Sequence, residues 1–371
     1  LTQFQPSLLW TRFEIGRWRN QGASNLNRRE GRPDLTCWQS RWFAQRQPFD
    51  QKGPVQEPKP KIYVFGWPSF LGGADTKLAH LLVLLHRHCE ITVVPNHAAR
   101  LQEELWTRFL DELRIQYTTF RRLPRKLEGF GLSLCNRWFF MRRIAHRAKE
   151  RGLKIIWSSE MMWRHEGEVA AVKAGVVDKV LYVSEFQKTH LSKGYGKLPS
   201  VIAGNYIDPQ YFPFKERWNK TFTIGRLSRH DTAKYPEDFP VFYECLGLPD
   251  ARFRVMAWSK ALERKYRWHH FDDRWDLLPP EKEPQVRFLH SLDLFGYPLG
   301  HTFKESWGRS TVEAMLTGCV PLVPAGHHFE KLLVSGESGF ICQDFLEYQE
   351  HAQRLFADYV YRRRLAAQCR A

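Results

Sequence analysis

Short apolar runs alternate with helical stretches from residue 61 to the end of the chain, and this alternation restricts the fold more than any other feature. The first run, Lys61–Phe65, precedes a glycine-rich loop, a helical stretch at 74–87 and a second run at 91–94. Strands separated by helices form parallel sheets with helices on both faces. The pattern therefore predicts an α/β fold of the doubly wound kind.

A second series of alternating runs begins at Thr221, so the sequence predicts two Rossmann-like domains. A chain of 371 residues is also long for a single hydrophobic core. We place the first domain at 61–210 and the second at 211–371, with the last helix able to cross back onto the first. The remaining predicted strands are 154–157, 179–183, 201–203, 221–225, 253–257, 286–289, 292–297, 320–323 and 340–342.

The first sixty residues lack the pattern of the rest of the chain. They mix Trp and Arg with Pro, Gln and Asn, and they show neither the period of a strand nor that of a helix. Residues 51–60 have the composition of a linker. We therefore expect residues 1–60 to form a poorly ordered basic extension, with an accessory arm as the alternative.

Cysteine usage and hydropathy bear on the compartment. The seven cysteines are scattered and form no Cys-x-x-Cys pair, which argues against a disulfide framework and against a structural zinc. No apolar run reaches the roughly 18–20 residues that span a bilayer, and the first residues lack a signal-peptide pattern. We expect a cytoplasmic protein, with peripheral attachment to a membrane as an option.

Positive charge is concentrated before residue 216. Residues 61–215 hold 24 Lys and Arg against 14 Asp and Glu, whereas residues 216–371 hold 22 against 21. Such a field attracts anionic partners such as lipid surfaces, acidic glycans or nucleic acid. Residues 120–152 predict an amphipathic basic helix that either packs on its own sheet or lies on an anionic membrane. Its apolar positions are Leu134, Trp138, Met141, Ala145 and Ala148.

The loop after the first predicted strand ends in the pair Gly72-Gly73, directly before a helix. Glycine lets the backbone approach a ligand closely, and the free N–H groups of a helix start favour an anion. An ordinary tight turn is the alternative. The loop has neither the Gly-x-Gly-x-x-Gly spacing of a dinucleotide site nor a Gly-Lys-Ser/Thr phosphate loop, which argues against a nicotinamide enzyme and an NTPase.

The first strand of the second domain ends at Gly225, and the cations Arg226, Arg229 and Lys234 follow at once. Open α/β sheets bind ligands at the carboxyl ends of their strands, and arginine can hold a phosphate through two parallel hydrogen bonds. The segment therefore predicts a phosphate site, with a solvated basic loop as the alternative.

Two glutamates, Glu305 and Glu313, surround the start of a later helix of the second domain. Glu305 follows the strand predicted at 292–297, and Glu313 falls in the first turns of the helix that Gly318 can terminate. Carboxylates at such a strand end are strong acceptors for sugar hydroxyls. Capping and surface charge are the alternative explanation.

The order of these pieces resembles the retaining glycosyltransferases of family 4, the "group 1" branch with the two-domain GT-B fold. The resemblance covers about residue 61 to the C-terminus. It implies a GT-B fold in which two Rossmann-like domains face each other across a cleft. It is carried by Gly72-Gly73, 183–187, 204–208, Gly225-Arg226 with Lys234, Glu305-x7-Glu313, Gly326 with Glu330, and Gly339.

The resemblance also implies roles for single residues. Arg226 and Lys234 would neutralise the donor diphosphate as it leaves, and Glu305 would bind hydroxyls of the donor sugar. Glu313 would bind the ribose of the nucleotide. Its implied donor site further includes Gly72, Gly73, Gly225, Arg229 and Glu330. The family's two cations usually lie closer together than Arg226 and Lys234 do.

The predicted activity is metal-independent transfer of a hexose from a nucleotide sugar to a glycan or lipid-linked acceptor, with no cofactor. Acceptor-side candidates are His97, Glu160 and His165, which follow strands of the first domain. The alternatives are a nucleotide-sugar epimerase, a sugar phosphorylase, or a non-enzymatic basic protein that binds nucleic acid or membrane. We find no nucleic-acid-binding motif, so no nucleic-acid partner is expected.

Overall fold

The computed structural model describes residues 58–69, 72–217 and 220–371, and they form two parallel β-sheets covered by helices. One sheet uses strands between residues 61 and 202, and the other uses strands between 223 and 342. The predicted α/β class with two Rossmann-like units is therefore confirmed. The predicted basic extension falls on residues 1–60, of which 1–57 lie outside the described residues.

The first sheet has seven parallel strands in the order β3-β2-β1-β4-β5-β6-β7. Strand β1 lies inside the sheet between β2 and β4, and successive residues of the strand face opposite sides of the sheet. Val64 accordingly packs in the hydrophobic cluster on one face, and Phe65 packs in the cluster on the other. The strands are β1 Lys61–Phe65, β2 Glu90–Val94, β3 Gln116–Tyr117, β4 Phe130–Leu134, β5 Lys154–Ser159, β6 Lys179–Tyr182 and β7 Ser200–Ile202.

Helices connect these strands and cover both faces of the sheet, as parallel pairing requires. The longest of them follows β1 and begins at the glycine pair that the sequence analysis singled out. The helices of this domain are α1 Gly73–Leu85, α2 Glu104–Glu112, α3 Arg137–Met141, α4 Ile144–Glu150, α5 Glu168–Lys173 and α6 Glu185–Leu191.

The second sheet has six parallel strands in the order β10-β9-β8-β11-β12-β13, with one hydrophobic cluster around it. The strands are β8 Thr223–Leu227, β9 Arg252–Met256, β10 Trp275–Leu278, β11 Leu294–Gly296, β12 Val320–Pro324 and β13 Phe340–Cys342. The helices are α7 Phe239–Glu244, α8 Lys260–Lys265, α9 Gln285–His290, α10 Arg309–Leu316, α11 Phe345–Ala357 and α12 Tyr359–Arg370.

One predicted strand differs from the structure, and strands β3, β4 and β10 were not predicted. The run at 286–289, predicted as a strand, lies in helix α9, which begins directly after Pro284. A short apolar run does not distinguish a strand from a buried helix. Strand β4 was not predicted, because Gly131 and Ser133 interrupt its apolar residues. The neighbours of Gly131 lie close, since an added Cβ would lie 3.0 Å from both Ile155 Cδ1 and Phe65 Cε2 and would force these side chains to shift.

The predicted amphipathic basic helix is also wrong. Leu134 belongs to strand β4, and the helical part is split into α3 and α4 at Arg143, whose φ of 52° is left-handed. The side chains that α3 buries are Phe139 and Phe140, whereas Met141 is exposed. The arginines of this region thus lie around two short helices and not along one continuous stripe.

Residues 203–222 connect the two sheets, and the final helix packs beside this connection. Helix α12 lies against α10 and α11 of the second domain. Its Arg370 donates hydrogen bonds to the carbonyls of Pro209, Phe212 and Leu316. Among the described residues, no helix is long and apolar enough to cross a bilayer.

Candidate functional site

The carboxyl ends of the strands in the two sheets face each other across a cleft. Ser184 Oγ donates to the carbonyl of Ser306 at 2.7 Å, and Ser306 Oγ donates to the carbonyl of Glu160 at 2.8 Å. These two bonds join the loops after β5 and β6 to the loop before α10. The strand ends of the two domains therefore line one shared crevice.

Helix α1 begins in this crevice. Gly72 precedes it with φ 153° and ψ 150°, a conformation that is essentially restricted to glycine. No side chain caps this helix start, so its first N–H groups are left for other acceptors. A Cβ added to Gly73 would lie 3.8 Å from Cδ of Arg309, which belongs to the second domain.

Lys234 and Glu305 form a buried ion pair on the second-domain side of the crevice. Lys234 Nζ donates to Glu305 Oε2 at 2.8 Å, and Tyr297 Oη donates to the same oxygen at 3.0 Å. Burial favours the neutral form of each group, but the opposite charge outweighs it. The pKa of Lys234 is therefore raised and the pKa of Glu305 is lowered. Both groups are charged at neutral pH.

Arg229 is the arginine of the predicted phosphate loop that reaches the crevice. Its guanidinium is half-buried and lies 3.6 Å from the sulfur of Met161 in the first domain. It interacts electrostatically with Glu305 and Lys234 of its own domain and with Asp75 in the first turn of α1. Burial raises the pKa of Asp75 to about 6 despite the nearby Arg100 and Arg229.

Arg226 lies in the core and not in the crevice. Its side chain is fully buried, and its guanidinium stacks over the rings of Tyr235 at 4.0 Å and Tyr297 at 4.4 Å. Its nitrogens donate to the carbonyl of Lys234 at 2.8 Å, to the carbonyl of Pro298 and to the hydroxyl of Ser228. In this structure Arg226 thus supports the backbone that carries Lys234 and does not face the crevice, and its predicted contact with a phosphate stays a prediction.

Gly225 also has a structural position. It lies inside β8, where an added Cβ would approach the carbonyl oxygen of Arg254 to 2.3 Å and Cδ2 of Leu292 to 2.6 Å. A contact below 3.0 Å with backbone forces the strands apart. Gly225 is therefore required by close strand packing, and its predicted donor-binding role stays a prediction.

Glu313 is buried in helix α10 and already has partners. Its Oε1 lies 2.8 Å from Nε of Arg309, one helical turn earlier, and its Oε2 accepts a hydrogen bond from Gln285 of α9. Burial raises the pKa of Glu313, although Arg309 opposes this shift. A ligand that reaches Glu313 therefore meets a carboxylate already shared with an arginine and an amide.

Glu160 is buried at the end of β5 and paired with a residue that the sequence analysis missed. Lys77 of α1 donates to Glu160 Oε1 at 2.8 Å and to the carbonyl of Gly204 at 3.0 Å. Ser158 Oγ donates to the same carboxylate oxygen at 2.7 Å. The Glu160 carboxylate, predicted as an acceptor-side group, is in this arrangement the anchor of helix α1 on the sheet.

The two acceptor-side histidines lie apart. His165 is half-buried, with Nε2 3.5 Å from Sγ of Cys135, and burial lowers its pKa. His97 is exposed and packs its ring 6.4 Å from that of Trp138. Burial and then Arg142 lower the pKa of His97. His165 therefore lies at the end of β4 and β5, whereas His97 lies on the basic surface of the first domain.

Glu330 is exposed and turned towards its own loop. Its Oε1 accepts a hydrogen bond from the N–H of Gly326 at 3.1 Å. The same loop carries His327, whose Nδ1 lies 3.3 Å from the backbone nitrogen of Glu305. Glu330 thus shapes the loop beside Glu305 without contacting the Lys234–Glu305 pair.

A metal centre was not predicted. Within residues 58–69, 72–217 and 220–371, no group of three or more His, Cys, Asp or Glu side chains could hold a metal ion.

Comparison with known proteins gives a match at the level of structure. No family model matches the chain, and no curated protein matches its sequence. The crystal structure of Anabaena Alr3699/HepE in complex with UDP and glucose superposes with a TM-score of 0.64 and 14% identity, covering 84% of this chain and 94% of that one. The crystal structure of a glycosyltransferase from Rickettsia africae superposes with a TM-score of 0.63 and 11% identity, covering 85% of this chain and 93% of that one.

A third match, the sucrose-phosphate synthase of Thermosynechococcus elongatus, gives a TM-score of 0.61 at 13% identity and covers 84% of this chain and 93% of that one. All three matches extend over both domains. The fold of this chain is therefore GT-B, as the resemblance in the sequence implied. At these identities the likeness concerns the fold alone.

Three residues of the crevice carry little signal in the sequence. Lys77 and Asp75 look like solvated side chains of an ordinary helix, and Arg309 looks like an exposed residue at a helix start. Their positions are the signal that could have indicated them: Asp75 and Lys77 lie in the first turns after the glycine pair, and Arg309 lies midway between Glu305 and Glu313.

Proposed function

We propose that this protein is a glycosyltransferase that moves a hexose-type sugar from a nucleotide-sugar donor to a glycan or lipid-linked acceptor, with retention of configuration and without a metal. One observation carries the proposal. Lys234, Arg229 and Glu305 face the uncapped start of helix α1 across a crevice between two domains. Cations and amides from opposite sides suit a diphosphate, and the carboxylate beside them suits sugar hydroxyls.

The main task of such an enzyme is to stabilise the departing diphosphate. The bond between the anomeric carbon and the phosphate oxygen breaks, and negative charge grows on that oxygen. Lys234 and Arg229 lie where they can neutralise this charge, together with the N–H groups of Gly73 and the residues after it. Fixed donors of this kind need no reorganisation at the moment of reaction.

Retention is proposed to occur on one face of the sugar. The acceptor oxygen attacks the anomeric carbon from the side that the diphosphate leaves, and its proton passes to the departing phosphate oxygen. The protein then supplies no covalent nucleophile. In this scheme Glu305 holds donor-sugar hydroxyls and Glu313 holds the ribose, each as an acceptor of hydrogen bonds.

The first domain is the proposed acceptor side because its surface is basic. Trp138 lies between the guanidinium groups of Arg137 at 4.8 Å and Arg142 at 4.5 Å. Acidic glycans, lipid-linked phosphates and anionic membrane surfaces are the partners that such a surface attracts. The proposal thus includes polysaccharide synthesis at a membrane surface. The exposed cations of this face are Arg121, Arg122, Arg125, Lys126, Arg137, Arg142, Arg143 and Arg147.

The direct test is a donor screen. The protein is incubated with UDP-, GDP-, ADP- and dTDP-sugars, and thermal stabilisation and slow donor hydrolysis are measured. We expect one nucleotide class to raise the melting temperature and to be hydrolysed without an acceptor. Glu313→Gln is expected to abolish most of the stabilisation, whereas Glu337→Gln, on an exposed loop, leaves it unchanged.

The products separate the alternatives. Release of a free, stereochemically altered sugar would support an epimerase, and a requirement for inorganic phosphate would support a phosphorylase. If no nucleotide sugar stabilises the protein or is hydrolysed, the proposed function is wrong. Salt-sensitive binding to DNA or RNA that survives Glu313→Gln would instead favour a non-enzymatic basic protein.

A further inference from the structure

Arg309 occupies an unusual place for an arginine. It is the first residue of helix α10, directly after Gly308, and only 9% of its surface is exposed. Its Nε lies 2.8 Å from Glu313 Oε1. Its Nη1 crosses to the first domain, where it donates to Asn205 Oδ1 and to the carbonyl of Tyr206, each at 2.9 Å.

Two nitrogens of this guanidinium have no hydrogen bond. Arg309 Nη2 has no hydrogen-bond partner among the described residues and no contact with solvent, and Nε, although ion-paired with Glu313, makes no hydrogen bond of good geometry to it. Burial lowers the pKa of Arg309, although Glu313 opposes the shift. Buried donors of a charged group are nearly always paired, so each exception needs an explanation such as a ligand that the group binds. The position of Arg309 suggests which ligand.

The side chain of Arg309 passes the start of helix α1. Its Cδ lies 3.8 Å from the position of a Cβ on Gly73, and α1 is 13 residues long with no side-chain cap. The first N–H groups of a helix point out of its end and favour anions. A buried cation from one domain and uncapped amides from the other therefore meet at one point of the crevice.

We propose that Arg309 is a ligand of a phosphate group of the nucleotide donor, held jointly with the N-terminus of α1. This inference rests on the proposed function and adds a residue that neither the motif nor the resemblance indicated. The same guanidinium holds Glu313 and bonds to Asn205. Phosphate binding at Arg309 therefore requires that the two domains are together.

The test compares nucleoside diphosphates with nucleosides, because they differ only in the phosphates. Calorimetric titrations of the full chain use UDP, GDP and ADP beside uridine, guanosine and adenosine. For the nucleotide and nucleoside that bind, Arg309→Gln is expected to weaken the affinity for the diphosphate by about 10- to 100-fold, which is the effect of losing a charge-assisted hydrogen bond. Nucleoside binding is expected to change less than about threefold.

Three further variants make the result decisive. Arg264→Gln removes an exposed arginine of α8 and is expected to change neither affinity. Asn205→Ala removes one interdomain partner but keeps the guanidinium, so it is expected to cost much less than Arg309→Gln. Arg309→Lys keeps the positive charge but lacks the paired N–H donors of the guanidinium, and it replaces Arg309→Gln in the test if that variant does not fold. It too is expected to weaken binding of the diphosphate more than binding of the nucleoside.

Several results would overturn the inference. If the Arg309 variants lost affinity for the diphosphate and for the nucleoside by the same factor, Arg309 would act only through Glu313. An effect of Asn205→Ala as large as that of Arg309→Gln would mean that Arg309 acts only as a link between the domains. Unchanged diphosphate affinity in the Arg309 variants would exclude the contact. If the wild-type protein binds none of the diphosphates, the proposed function itself fails, and the inference fails with it.

Discussion

Each domain buries one lysine–glutamate pair at the cleft end of its sheet, and the two pairs differ in what surrounds them. Lys77 and Glu160 lie 2.8 Å apart in the first domain, and Lys234 and Glu305 lie 2.8 Å apart in the second. The first lysine also donates to a backbone carbonyl. Beside the second pair lies Arg229, so two cations there share one carboxylate.

This difference separates scaffold from site. The charges around the first pair are balanced, because the nearby Arg309, which also interacts with Glu160, is itself paired with Glu313. This pair anchors α1 on its sheet. A cluster with surplus positive charge in a low-dielectric crevice is prepared for an anion. The same residue types at the same distance thus serve different purposes, and the count of neighbouring charges distinguishes them.

The largest expected effect is on stability, from Lys77→Met. Removing one partner of a buried ion pair leaves the Glu160 carboxylate without its counter-charge, which costs about 3–5 kcal/mol. The free energy of unfolding, measured by urea denaturation, should fall by that amount. Lys173→Met, at an exposed position of α5, is the control and should change it by less than about 0.5 kcal/mol. An equally small effect of Lys77→Met would contradict the scaffold role.

Lys234→Met is expected to act mainly on function. Loss of one cation that faces the departing diphosphate should lower the rate of sugar transfer or donor hydrolysis by about 100- to 1,000-fold. Its cost in stability should be smaller than that of Lys77→Met, because Arg229 remains beside Glu305, whereas the arginine near Glu160, Arg309, is already paired with Glu313. Comparing the two variants by turnover and by unfolding tests the distinction. If Lys234→Met were destabilised as strongly as Lys77→Met yet fully active, the distinction would be wrong.

The smallest effect concerns pH. The pKa of Asp75 is raised to about 6 in the folded protein from 3.8, so folding is favoured by its protonated form. This contribution is present below about pH 4 and is lost as the pH rises through 6. Asp75→Asn should therefore be more stable than the wild type above pH 6 and equal to it near pH 4. Urea denaturation of both proteins across that range measures the difference, and a constant difference would refute the assignment.

The sequence indicated the architecture because the signals for strands, loops and helices are local. The alternation of apolar runs predicted two α/β domains, and the structure has them. Strand β4 was not predicted because Gly131 breaks its apolar pattern. The side chains that crowd this glycine, Ile155 and Phe65, lie far from it along the chain. The helix at 285–290 was predicted as a strand because six residues are too few to show the helical period of 3.6.

Site residues were indicated less completely, because a side chain's environment depends on distant partners. The sequence singled out Lys234 and Glu305 separately, and their pairing across 71 positions came from the fold. It could not tell which arginine after β8 reaches the crevice, since Arg226 is enclosed by Tyr235 and Tyr297. Lys77 went unnoticed because its partner is 83 positions away.

The bonds that cross between the domains have a consequence for kinetics. The hydroxyls of Ser184 and Ser306 donate to carbonyl oxygens, so neither bond involves an ionised side chain. Dissolved ions weaken attraction between charges over distances beyond about 10 Å at 0.1 M, and they leave such short, uncharged bonds almost untouched. Salt should therefore slow the arrival of an anionic molecule at the basic first domain without weakening these two bonds. The bonds from the buried Arg309 to Asn205 and Tyr206 also cross between the domains, and they are short contacts to uncharged acceptors.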